Sequence, residues 1–341
     1  MRGACVLLAL AIALPAAAAR EFTDDAGRKV MLPDKVERAY AAGPPASVLV
    51  FALAPDTLIG WTRHFKDDEA PWIAAKYAQL PELGRLTGRG NSANVEIVLK
   101  AKPDLIIDMG STSETFASLA DRVQSQAGIP YVLLDGRLET TVQQIEKLGV
   151  VLGVPERGRE LAAYAKGLID PLQQKIATVP KDKRPRVYYA RGPQGLTTGL
   201  AGSINVEMIE FLGGNNVAGG ERGGLANVGL EQVVLWDPEI IVTNDPNFYR
   251  EVWKLPVWNS VTAVRNKRVY LSPHLPFGWF DYPPGANRVI GLLWLSEILY
   301  PQLFRHDLKR EMVEFYRRFY HQAPTDEQVA QLLGETGVAP R

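Results

Sequence analysis

Short apolar runs separated by longer amphipathic stretches fill most of this chain. Runs at 38–42, 57–61, 104–108, 131–134, 186–190, 239–243 and 268–271 are too short and too uniformly apolar for surface helices. They predict buried strands. Helical spacing lies between them, for example at 95–100 and 231–236. Alternation of buried strands with helices predicts an α/β fold with mainly parallel sheets.

The pattern repeats. Val95-Glu96-Ile97-Val98-Leu99, followed by Lys102-Pro103-Asp104-Leu105-Ile106-Ile107, recurs as Leu230-Glu231-Gln232-Val233-Val234 and Asp237-Pro238-Glu239-Ile240-Ile241-Val242. Both copies predict a short helix, a proline that stops it and a buried strand. Tyr40-Ala41-Ala42-Gly43-Pro44 is echoed by Tyr189-Ala190-Arg191-Gly192-Pro193, each expected to be a strand ending in a Gly-Pro turn that opens a helix. Matching units in matching order predict two similar lobes.

Between the copies, Val142, Ile145, Leu148, Val151 and Leu152 recur at helical spacing, and the pattern resumes at Leu161, Tyr164, Leu168 and Leu172 after Gly153 and Pro155. This predicts a long backbone helix, continuous or broken, joining the lobes and limiting them to small opening motions. Helices are expected at 287–299 and 307–319, and a last one begins at Pro324-Thr325-Asp326-Glu327, with a frayed tail from about Gly334. The expected organisation is a signal at 1–19, lobes at 20–139 and 181–323, a bridge at 140–180, and a short helix and tail at 324–341.

Composition adds the compartment. Arg2, the apolar run 4–14, Pro15 and the small residues Ala17-Ala18-Ala19 read as a cleaved secretory signal that delivers the chain to the periplasm. The single cysteine, Cys5, lies at the start of that run, so cleavage and release are expected rather than lipid anchoring. The mature chain then has no disulfide, thiolate ligand or cysteine nucleophile. Lys+Arg and Asp+Glu are both 38, which gives no pull toward nucleic acid.

Catalytic motifs are missing from the sequence. There is no Gly-x-Ser-x-Gly elbow, phosphate-binding Gly-Lys loop or His-Glu-x-x-His helix. Gly213-Gly214 and Gly219-Gly220 read as a helix cap and loop. No metal ligand set is expected from His64, His274, His306 and His321: the last two read as solvated surface, and His64 and His274 as residues near strand ends. The expectation is a binder, not an enzyme, with no catalytic residues and no cofactor.

In parallel α/β sheets ligands gather beyond the carboxyl ends of the strands. That rule selects Pro45, Trp61, Arg63, His64, Asn91, Ser111, Arg191, Asn227 and Asn244. Arg191 replaces Ala42 of the first copy, so the fold does not demand a cation there. It suits a carboxylate, phosphate or oxyanion, or else an ordinary salt bridge. The loop His274-Leu275-Pro276-Phe277-Gly278-Trp279-Phe280-Asp281-Tyr282 adds Phe277, Trp279 and Tyr282, which either line a cleft or pack beneath the following helix.

Taken with Gly43-Pro44-Pro45, Leu83-Gly84, Asn94-Val95-Glu96, Gly213-Gly214-Asn215-Asn216-Val217 and Pro283-Pro284-Gly285-Ala286-Asn287-Arg288, the chain resembles the ABC-transporter substrate-binding proteins of the iron-siderophore, haem and cobalamin class. The resemblance covers about residues 22–320. It implies two lobes on a backbone helix, a shallow cleft, a monomer and a small-molecule cargo. The first expectation is an iron complex of siderophore type; molybdate, tungstate, cobalamin and haem are the alternatives, and a sensor subunit or an enzyme on the same fold the alternative classes. It further implies an ABC permease and its ATPase as partners, with Glu82 and Glu221 as the docking acids.

Overall fold

The computed structural model describes residues 20–88 and 93–336. The signal, Asn91 and the end of the tail lie outside the described residues.

Each lobe carries a parallel sheet. In the first, Ala39–Ala41, Leu105–Gly110 and Tyr131–Asp135 lie side by side in that order. Ala39 faces Leu105 and Ile106 faces Tyr131. In the second, the order is Val269–Leu271, Ile240–Thr243, Arg186–Ala190 and Asn215–Asn216. Read from the repeated strand outward, the two sheets have the same connectivity. The match extends to detail. Helices Val95–Ala101 and Leu230–Trp236 each end on a left-handed residue, Lys102 and Asp237, just before a proline. The chain must leave the helix there because a proline follows the cap.

The strands show why apolar runs were required. Ala39, Leu105, Ile107, Val132 and Leu134 turn one way, into a core shared with Val187, Tyr189, Ile240 and Val242 of the other lobe. Tyr40, Ile106 and Tyr131 turn the other way, into a separate core under the first lobe's own helices. Tyr188, Ile241 and Val269 do the same in the second lobe. Each sheet is therefore covered on both faces. The shared core is filled by Arg288–Leu299 and Leu308–Phe319 together with the bridge.

The bridge is two helices, Thr141–Val151 and Pro155–Ile176. Gly153, at φ +77°, turns the chain between them. They approach so closely that a Cβ on Gly149 would lie 2.7 Å from the Cα of Gly158.

Two expectations are corrected. The run 57–61 forms no regular strand: Pro55–Thr57 is a 3-10 turn, and Leu58 and Trp61 make single bridges to Ala39 and Glu82. In the second lobe the Gly-Pro turn opens no helix. Gly192 and Gly195 take positive φ, and the chain enters a small antiparallel sheet of Thr197–Gly199 and Leu225–Asn227. Gly195 lies against the Phe248 ring, where a Cβ would come within 2.3 Å. Among the described residues no helix is long and apolar enough to cross a membrane.

Candidate ligand-binding cleft

Strand register builds the site. Ala190 pairs with Thr243 on adjacent parallel strands. Arg191 and Asn244, one residue further, therefore leave the sheet side by side. Their side chains share the parity of Tyr189 and Val242, which face the lobe junction.

Arg191 is held from two directions. Its Nε donates to the Asp281 carboxylate at 3.2 Å, and its guanidinium lies 4.3 Å from the centre of the Tyr282 ring. Asp281 is almost wholly buried and also accepts from Tyr189 Oη, Asn205 Nδ2 and the Tyr282 amide. Burial works to lower the Arg191 pKa, but Asp281, Tyr189 and Tyr282 outweigh it, and the guanidinium is held above its usual value. Among the described residues its two Nη groups meet no acceptor. Asn244 beside it has a buried Nδ2 with no partner. The result is a fixed cation at the carboxyl end of the sheet whose Nη donors could take an anion, with the Asn244 Nδ2 beside it shut off from solvent.

The first lobe closes the opposite side through Gly43, Pro44 and Pro45, and Pro45 approaches Gly285. Beneath Gly43, the carboxyl of Asp108 receives Thr87 Oγ1, Tyr131 Oη and the Met109 amide. Burial pushes the Asp108 pKa up, against those three donors.

Behind the cleft, Arg288 spans the lobes. Its guanidinium donates to Gly136 O at 2.9 Å in the first lobe, and to Glu207 and Ile204 O in the second. Glu207 also accepts the Leu138 amide at 2.9 Å. Burial pulls the Arg288 pKa down, opposed by Glu207.

The other sequence candidates fall into three groups. Trp61, Phe277 and Trp279 are core. The Trp61 indole donates to Tyr77 O, its ring packs against Phe51, Phe65 and Phe277, and Trp279 donates to Tyr316 Oη. Of the aromatic loop, Tyr282 is the ring that reaches solvent, at 55% exposed. Arg63, His64 and Glu82 cluster on the first lobe. Arg63 grips Glu69 at 2.6 and 2.8 Å, and the His64 amide donates to Glu82. Ser111, Asn227 and Glu221 lie on exposed loops or edges, and Asn227 accepts from Thr197 Oγ1. The expectation of solvated His306 and His321 is corrected: His306 bonds Ser296 and stacks on Phe304, and His321 bonds Phe51 O. Asp281, Asn205, Glu207 and Arg288 were not singled out by sequence. Asp281 stood inside the aromatic loop, and no local pattern marks it as the partner of Arg191.

Two hollows of about 470 and 450 Å³ lie elsewhere, lined by Arg186, Glu210 and Trp236, and by Asp182, Arg184 and Arg268. They open at the amino ends of the second-lobe strands, away from Arg191. Among the described residues no group of His, Cys, Asp and Glu could hold a metal ion.

Known proteins share this fold. A profile of the family described as periplasmic binding protein matches residues 45–274. The molybdate-binding protein MolA of Haemophilus influenzae is 29% identical, over 93% of this chain and 95% of its own. A vitamin B12-binding protein of Vibrio parahaemolyticus is 24% identical over 74% of this chain and 86% of its own. Among solved structures, an ABC transporter solute-binding protein of Sulfurospirillum deleyianum superposes with a TM-score of 0.84 at 30% identity, covering 92% of this chain and 99% of its own. MolA bound to molybdate superposes with a TM-score of 0.75 at 26% identity, covering 90% of this chain and 99% of its own.

Proposed function

The chain belongs to the periplasmic binding protein family, whose members carry solutes rather than transform them, and on that premise we propose that its cargo is a small oxyanion of the molybdate type. The cargo sits between the lobes against Arg191, and the loaded protein delivers it to an ABC permease and its ATPase. The observation that carries this reading is the Arg191 guanidinium, fixed through Nε on Asp281 with its Nη edge turned from any acceptor among the described residues. A preset cation of this kind binds an anion without first paying to order a long side chain.

The likeness to MolA supports the same cargo. An iron complex, haem or corrinoid needs a broad wall of rings, and Trp61, Phe277 and Trp279 are committed to packing. Glu82 and Glu221, exposed on opposite lobes, remain the proposed docking acids, and the 1–19 signal the proposed route to the periplasm.

Calorimetry of the mature protein against molybdate, tungstate, ferric siderophores, haem and cobalamin tests this. Molybdate or tungstate is expected to bind, and Arg191→Ala to weaken that binding about 10- to 100-fold, the value of a charged hydrogen bond. Unchanged affinity removes Arg191 from the site. Uptake of a siderophore or corrinoid without oxyanion binding returns the cargo to the metal-complex class.

A further inference from the structure

We propose that Tyr282 is a positioning residue: its backbone is held in an unfavourable left-handed conformation so that its ring lies against the Arg191 guanidinium and aims the Nη edge. This deepens the oxyanion reading above and rests on it for the cargo.

The backbone is the first sign. Among the described residues five that are not glycine take positive φ. Lys102 and Asp237 cap the helices Val95–Ala101 and Leu230–Trp236, and Lys267 and His321 stand two residues past the ends of Thr262–Arg265 and Leu308–Phe319. Left-handed residues are common where a helix ends, because they turn amides back onto its last carbonyls. Tyr282, at φ +64°, follows no helix. Its Cβ is crowded against the following carbonyl with no such local return.

The ring is the second sign. Phe277, Trp279 and Phe280 of the same loop are buried, whereas the Tyr282 side chain is largely exposed, so apolar burial does not offset the conformation. Its neighbour is the Arg191 guanidinium, 4.3 Å from the ring centre.

The loop is braced to hold this arrangement. The Tyr282 amide donates to Asp281 Oδ1 at 2.8 Å, and the Tyr282 carbonyl accepts the Gly278 amide at 3.0 Å. The next carbonyl, of Pro283, accepts Asn287 Nδ2 at 2.9 Å. A Cβ on Gly278 would lie 1.9 Å from Asp281 O, so the turn closes only on glycine. Unfavourable backbone that is over-determined in this way gathers at ligand sites.

Asp281 holds Arg191 through Nε alone, and one bond leaves the plane of the guanidinium free to rock. A ring on one face adds the second constraint, since an aromatic face attracts a cation. With Nε and that face engaged, the Nη edge is the part presented to an anion. Asp281 and Tyr282 are successive residues, so one loop supplies both constraints, and an arginine ordered in advance loses less freedom when cargo arrives.

Calorimetry with molybdate and tungstate, beside thermal melting, on the mature Tyr282→Phe, Tyr282→Leu and Tyr282→Asn proteins separates ring from backbone. Phe keeps the ring. Leu keeps the crowded backbone without the ring, and Asn loses the ring but accepts the left-handed region. Affinity is expected to stay within about 2-fold of wild type in Tyr282→Phe and to fall about 3- to 10-fold in Tyr282→Leu and Tyr282→Asn. Tyr282→Asn is expected to melt no lower than wild type and above Tyr282→Leu, a parting of affinity from stability that loss of structure does not produce. Exchange of the Arg191 Nε–H, followed by NMR, reads the aim without cargo: it is expected to speed up in Tyr282→Leu and Tyr282→Asn and to stay as in wild type in Tyr282→Phe. Wild-type affinity and exchange in Tyr282→Asn overturn the positioning role. So does a loss in Tyr282→Phe equal to that in Tyr282→Asn, which assigns the effect to the hydroxyl. Melting of Tyr282→Asn at or below Tyr282→Leu overturns the backbone part. If the wild type binds neither oxyanion, the cargo reading fails by itself, and the Arg191 exchange rates still decide the part of Tyr282.

Discussion

Arg191 shows how one position acquires a function inside a repeat. Its counterpart in the first lobe is Ala42, a buried residue whose amide bonds Ile107 O. The strand end tolerates a methyl, so the guanidinium is not there to support the sheet. The sequence disclosed that mismatch. It did not disclose Asp281, because the two are far apart in the chain and meet only when the loop before Arg288 folds across the second sheet. Titration is decided at the same scale. His274 and His306 are half-buried, and burial holds both below the usual 6.5. The unfolded chain then binds more protons than the folded one, so stability is complete above about pH 6.5 and falls as pH drops through the depressed values. The melting temperature is expected to be lower at about pH 5.5 than at about pH 7.5, with a smaller difference in His306→Gln. A melting temperature independent of pH in this range would contradict it.

At the scale of elements, apolar periodicity located most of the strands and helices. Six of the expected strands have a counterpart within a residue or two of the expected ends, as at Arg186–Ala190 and Tyr131–Asp135. Where it erred, as at 57–61 and after Gly192, prolines and glycines set turns that residue preferences alone do not resolve. The contact between the bridge helices gives a paired prediction. Gly149→Ala places a methyl against Gly158 backbone and is expected to cost about 1–3 kcal/mol. Gly167→Ala, on the second of these helices where an added Cβ would meet nothing within 4 Å beyond its own helix, is expected to gain up to about 1 kcal/mol. Chemical denaturation of the two variants checks the opposite signs; destabilisation by both to the same extent would mean that close helix approach is not what Gly149 provides.

At the scale of the whole molecule, Arg288 and Glu207 tie the second lobe to Gly136 and Leu138 of the first. Removing one member of such a buried pair leaves the other without its charge partner. Arg288→Met is expected to cost about 3 kcal/mol and to speed hydrogen exchange of the Leu138 amide, whose acceptor is Glu207. Exchange at Leu138 as slow as in the wild type would show that the lobes are held by the apolar core alone. The sequence by itself determined the alternation of strands and helices, the duplication and the want of catalytic motifs, because periodicity and short motifs are local and survive without coordinates. The tertiary structure alone decided which aromatic rings are core and which carboxylate holds Arg191. Those depend on register between strands and on a loop crossing between lobes, and neither is encoded in any one stretch of the chain.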